Sequence, residues 1–194
     1  GSLEAGFLVN GRRQCQFNPE QLLCKEGQDA ATCLAAPQAK LMMKLSQGYI
    51  NRNGEKIMAG LWGPGGLPWG GYNRVFLNAN FNASSAAGQF YGMGVLQDAN
   101  LDVHTMDVDS AVVLADKKFG FINHTSPDLD AFIQRGGKLI MYHGWDDPSI
   151  TAMNSIEYYD SVVKRMQEKR NLKSNEAALT ETQKFARLFL VPGM

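Results

Sequence analysis

Arg135-Gly136-Gly137-Lys138-Leu139-Ile140-Met141-Tyr142-His143-Gly144-Trp145-Asp146-Asp147-Pro148 sets a short, nearly continuous apolar run between a glycine pair and a turn-rich loop. Four or five apolar residues without polar alternation, bounded by glycine, suit a strand buried on both faces of a parallel sheet. The flanks support that reading. Upstream, Ser126-Pro127-Asp128 combines a capping residue, a proline for the first helical position and an acid for the first turn. It predicts a helix running to about Arg135 and stopping at Gly136-Gly137. Downstream, a second helix is expected near Asn154, because Asn154 and Glu157 have capping-box spacing. Met153, Ile156, Tyr159, Val163 and Met166 then recur at helical steps through about Arg170. Phe185 to Val191 reads as another strand. Helix, strand, loop, helix and strand in that order make half of an α/β layer.

The rest of the chain is less regular. Its 194 residues include 20 glycines and 7 prolines, with 44% apolar and 20% charged residues, the make-up of a globular domain. Nineteen basic side chains balance nineteen acidic ones, so there is no electrostatic footprint for nucleic acid or for an anionic membrane. No apolar run is long enough for a bilayer span, and Gly1-Ser2-Leu3-Glu4 lacks the basic and apolar regions of a signal peptide.

The first 35 residues show no sustained period and hold all three cysteines, Cys15, Cys24 and Cys33. The spacing of Cys24 and Cys33 suits a small disulfide loop in an oxidising compartment, whereas zinc would need four ligands and finds no histidine nearby. Cys15 is then left to pair outside the chain. A helix is expected over Pro37 to Gln47, closed by Gly48, followed by a hairpin over Tyr49 to Ile57 turning at Asn53-Gly54. Between Asn73 and Asn123 the pattern is weak, with a helix expected around Ala86 to Leu96 and an apolar strand over Ala111 to Leu114. Two glycosylation sequons begin at Asn82 and Asn123 and matter only in a secreted eukaryotic protein.

Few residues are arranged for chemistry. No serine sits in a Gly-x-Ser-x-Gly elbow, and no glycine-rich phosphate loop joins a strand to a helix. His104 with Asp102, Asp107 and Asp109 offers possible metal ligands, although solvated loop charges account for them more simply. Trp62, Trp69 and Tyr72, in a segment rich in glycine and proline, either line a pocket for an aromatic ligand or anchor that loop. The strongest position is the loop from His143 to Pro148, because a carboxylate beyond the carboxyl end of a buried strand is where open α/β sheets place functional groups. Asp146 and Asp147 are adjacent, so one of them faces such a site.

The block from Arg135 to Pro148, Tyr158-Tyr159, and Arg187-Leu188-Phe189-Leu190-Val191-Pro192-Gly193-Met194 together resemble the tannase and feruloyl esterase family of α/β-hydrolases. Cys15-x-Phe17-Asn18-Pro19, Leu23-Cys24, Cys33-Leu34, Gln38 and Pro127-Asp128-Leu129-x-Ala131-Phe132 follow the same family pattern, in order along nearly the whole chain. The resemblance implies a partial α/β-hydrolase core over 126–194, preceded by an irregular lid domain over 1–125 that a Cys24–Cys33 disulfide pins. It implies that Asp147 is the acid of a Ser-His-Asp triad, with Asp146 at a variable position. The family's serine elbow would lie upstream of these residues and its histidine a few residues past Val-Pro-Gly-Met.

The expectation is therefore a piece of a secreted or periplasmic esterase acting on esters of aromatic acids, inactive alone. The alternative is a ligand-binding or assembly module that self-associates, or pairs with the missing core, through exposed strand edges. The family's calcium pattern is degraded at Leu3-Glu4-Ala5-Gly6-Phe7, where Ala5 replaces an acid, so no metal or other cofactor is expected.

Overall fold

A computed structural model describes residues 18–60, 88–145, 147 and 150–191. The chain divides into two compact units, one formed by residues 1–68 with 127–194 and the other by residues 69–126.

In the first unit, Asn18 caps a 3₁₀ turn over Pro19–Leu22 by accepting the Glu20 N–H, and Asp29 caps a second over Ala30–Thr32. The Cys24–Cys33 disulfide forms, with its Cα atoms 4.9 Å apart, and Leu23 and Leu34 bridge beside it. The expected helix follows as α1, Ala36–Gln47, with the Gln38 side chain accepting the Ala35 N–H at its start. Gly48 ends it with φ at +84°, and a Cβ there would collide with the Met58 carbonyl. That close approach seats the hairpin of β1, Tyr49–Ile50, and β2, Lys56–Met58. The turn is longer than the two residues that Asn53-Gly54 suggests. The Asn51 side chain accepts the Asn53 and Glu55 N–H groups, so residues 51–55 are held as one loop with Gly54 left-handed.

After residue 126 the expected elements appear in order, with one additional helix and three corrections. The helix assigned to Ser126-Pro127-Asp128 starts later, as the single turn α2, Asp130–Gln134. The Asp128 carboxylate accepts the Asp130 N–H and so organises the turn before the helix. That bond, with the Arg165 guanidinium beside it, holds the Asp128 carboxyl below the usual carboxylate range. Gly136-Gly137 stops the helix as expected, Gly136 with φ at +75° and Gly137 with no room for a Cβ against the Phe132 ring.

β3, Leu139–Gly144, pairs in parallel with β4, Ala186–Val191, in register from Leu139 opposite Ala186 to Gly144 opposite Val191. Parallel strands need a crossover, supplied by α3, Ala152–Lys169, and α4, Asn175–Thr182. The Asn154 capping box is the second correction: Thr151 is the cap, its hydroxyl accepting the Met153 N–H. α4 went unread in the sequence, although Ser174 caps it and Ala177, Ala178 and Leu179 suit a helix.

The core of this unit lies between one face of the strand pair and α3 and α4. Tyr159, Val162, Val163, Met166, Ala178, Phe185 and Ala186 are buried, with Leu139, Met141 and Leu188 packed against them. Burying each larger aliphatic side chain contributes roughly 1.5–3 kcal/mol. Burial on both faces, expected for β3, is the third correction. Ile140 is 73% exposed, Tyr142 70% and Phe189 51%, because the helices cover only the other face.

In the second unit, a π-helical segment over Gln89–Leu96 stands where an ordinary helix was expected. It packs on α5, Val108–Phe119, through the Phe90 and Phe119 rings 5.6 Å apart. In chain order α5 precedes α2; it contains Ala111–Leu114, read from the sequence as a strand. A four-residue apolar run fits either state, and buried Ala111 and Ala115, one helical turn apart, decide for the helix.

Tyr159 ties α3 to the sheet: its hydroxyl donates to the Ala186 carbonyl at 2.9 Å, and burial pushes its pKa up. Replacing Tyr159 by Phe should lower stability by about 1–2 kcal/mol by leaving that carbonyl unpaired. Urea unfolding should show a lower midpoint with an unchanged slope.

Candidate functional site

The alternation of β3 decides where its last side chains go. Leu139 and Met141 face the helices, Ile140 and Tyr142 face away, and His143 continues the helix-facing row. Its imidazole therefore reaches the first turn of α3, where Nδ1 lies 2.7 Å from the Ser155 hydroxyl and Nε2 lies 3.0 Å from the Ile150 carbonyl. A carbonyl oxygen only accepts, so Nε2 carries a proton, while Nδ1 shares a hydrogen bond with the Ser155 hydroxyl. The His143 side chain is 12% exposed, and both its nitrogens are engaged by the chain's own groups.

Asp147 follows the end of β3 by three residues. Its Oδ1 accepts the Ile150 N–H at 2.9 Å, and its Oδ2 lies 3.6 Å from His143 Nε2. Ile150 is thus held at both ends of its backbone, the N–H by Asp147 and the carbonyl by His143. The next residue, Thr151, caps α3 and donates to the Gly60 carbonyl at 3.0 Å. These bonds fix the course of the chain into α3 and hold the Asp147 carboxylate beyond the carboxyl end of a parallel strand. A carboxylate so held can orient a histidine and stabilise its imidazolium.

Of the residues singled out in the sequence, Asp147 lies in this arrangement. Trp62, Trp69 and Tyr72 lie outside the described residues, as do Asp146, Cys15, the sequon at Asn82 and the Leu3 to Phe7 segment. The His104 group has a local account: Asp102 accepts the His104 N–H, and Asp107 accepts the Ser110 hydroxyl. Among the described residues no three His, Cys, Asp or Glu side chains are grouped to hold a metal ion. Sequence reasoning placed His143 in the loop His143 to Pro148, whereas it lies in β3, and gave it no role of its own; Ser155 was missed. The position of His143 at the end of a strand, four residues before an acid, was the available signal; nothing local joins it to a serine twelve residues on.

Residues 4–194 match the family model described as tannase and feruloyl esterase. An uncharacterized esterase of Xanthomonas campestris is 35% identical over 98% of this chain and 35% of its own length. Feruloyl esterase C of Talaromyces stipitatus is 28% identical over 96% of this chain and 33% of its own. The crystal structure of feruloyl esterase B from Aspergillus oryzae aligns with a TM-score of 0.71 at 26% identity, covering 94% of this chain and 34% of that one. The chain spans about a third of the length of these relatives.

Proposed function

Because the chain belongs to the tannase and feruloyl esterase family, we propose that Asp147 is the acid of a Ser-His-Asp triad hydrolysing esters of aromatic acids. In this reading β3, α3, α4 and β4 form part of an α/β-hydrolase core. The observation that carries it is the carboxylate of Asp147, held by the Ile150 N–H just past the end of β3. With both nitrogens of His143 engaged, the triad histidine is a different one, supplied with the serine by residues outside these 194.

The serine hydroxyl attacks the ester carbonyl as that histidine takes its proton, and Asp147 orients the ring and stabilises the imidazolium. The imidazolium gives that proton to the departing alkoxide, which leaves as the alcohol; the same histidine then deprotonates the water that attacks the acyl-enzyme and returns the proton to the serine as the acid is released. The chemistry requires no cofactor. The names of the feruloyl esterase relatives support hydroxycinnamate esters as substrates, with gallate esters as a family alternative. Secretion or periplasmic export fits the Cys24–Cys33 disulfide. No helix among the described residues is long and apolar enough to cross a membrane.

A second reading, that the 194 residues act as an assembly module, draws on the exposed Ile140, Tyr142 and Phe189. A two-stranded sheet is marginal by itself, and the bare face would seat another chain. Light scattering should then show association; a monomer at high concentration contradicts this reading.

The triad reading is tested in an ester-hydrolysing polypeptide that contains this sequence. Asp147→Asn should lower kcat by about 10⁴-fold, and Asp146→Asn should leave it nearly unchanged. The 194 residues alone should show no turnover of a chromogenic aryl ester that a serine reagent abolishes. Equal losses at the two positions, or such turnover by the chain alone, would contradict the proposal.

A further inference from the structure

We propose that His143 is a positioning residue for Asp147, its imidazole Nε2–H clamping the backbone carbonyl of Ile150. The inference rests on the triad-acid reading for its catalytic consequence, but its geometry stands apart from it. Asp147 is fixed through the Ile150 N–H. The Ile150 N–H and carbonyl lie in the two peptide planes that meet at its Cα, so the imidazole on the carbonyl fixes the plane on one side of that Cα and limits the rotation by which the N–H on the other side could turn away from Asp147. The imidazole in turn is held by Ser155 on α3 and by its place in the helix-facing row of β3. The order of support runs from strand and helix to His143, from His143 to Ile150, and from Ile150 to the carboxylate.

The assignment of roles is specific. Nε2 must donate, because its nearest partner is a carbonyl oxygen, and Nδ1 is engaged by the Ser155 hydroxyl. The Ser155 hydroxyl, 2.7 Å from Nδ1, is therefore a brace for the ring. A ring so committed has no nitrogen left to take a proton from a nucleophile. His143 stands 3.6 Å from Asp147 Oδ2, yet it serves the carboxylate through the backbone rather than as its triad partner. Gln at position 143 can present an Nε2 donor to the Ile150 carbonyl, whereas Leu cannot.

The test uses the chain itself. Nitrogen-15 NMR of the imidazole should show a protonated Nε2. In His143→Leu the Ile150 amide should exchange with solvent at least about fivefold faster, the loss of one net hydrogen bond, while the Val162 and Val163 amides inside α3 keep their protection. His143→Gln should restore Ile150 to within about twofold of the original. An unprotonated Nε2, or exchange at Ile150 unchanged in His143→Leu, overturns the clamp. If the Leu variant fails to fold, Ser155→Ala decides: faster exchange at Ile150 supports the clamp and an unchanged rate overturns it.

None of these readouts needs turnover, so they are independent of the Asp147→Asn result. In an ester-hydrolysing polypeptide that contains the sequence, His143→Leu should lower kcat with KM nearly unchanged, and His143→Gln should recover most of the loss. Faster exchange at Ile150 with kcat unaffected overturns the positioning role.

Discussion

Six residues of β3 run beside six of β4, parallel and in register, and the arrangement around Asp147 follows from that pairing. Parallel strands cannot be joined by a tight turn, so the chain must leave the end of β3, cross over and return. The crossover includes Asp147, Ile150 and Thr151 and continues as α3. Pairing also fixes which side chains face the helices, and so sends His143 toward Ser155 while Ile140 and Tyr142 point away. A shift of β3 by one residue would reverse every one of these directions. Tyr159, bonded to the Ala186 carbonyl, locks the helix to the second strand of the same pair.

Much of this was legible in the residues. The Leu139 to Tyr142 run, the Gly136-Gly137 stop and the Ile156, Tyr159, Val163 and Met166 row each answer to one local rule, and no competing rule applies at those positions. The disulfide was legible from cysteine spacing. Errors arose where two local rules compete. Asn154 and Thr151 are both good caps, and only the approach of the Gly60 carbonyl shows which is used. Ala111 to Leu114 is apolar enough for a strand, yet buried Ala111 and Ala115 belong to a helical period longer than the run itself. The exposed face of β3 was unreadable for a different reason: an apolar run reports that a strand tolerates burial, not what covers it.

The candidate site was half legible. Asp147 stands out by its place after a strand, and the family resemblance is what proposes a role for it. The clamp that holds it depends on Ile150 and Ser155, whose contacts with His143 span seven and twelve residues and have no sequence period. Such contacts arise from the pairing register and the helix entry angle together.

The central claim is that Asp147 is presented to a histidine other than His143. The most direct measurement is the environment of the Asp147 carboxylate in a crystal structure of an ester-hydrolysing protein that contains this sequence. The account predicts a second histidine with a ring N–H about 2.7–3.2 Å from a carboxylate oxygen, and His143 still bonded to the Ile150 carbonyl. A carboxylate with no histidine in reach, or with His143 turned away from Ile150 to bond it directly, would contradict the account.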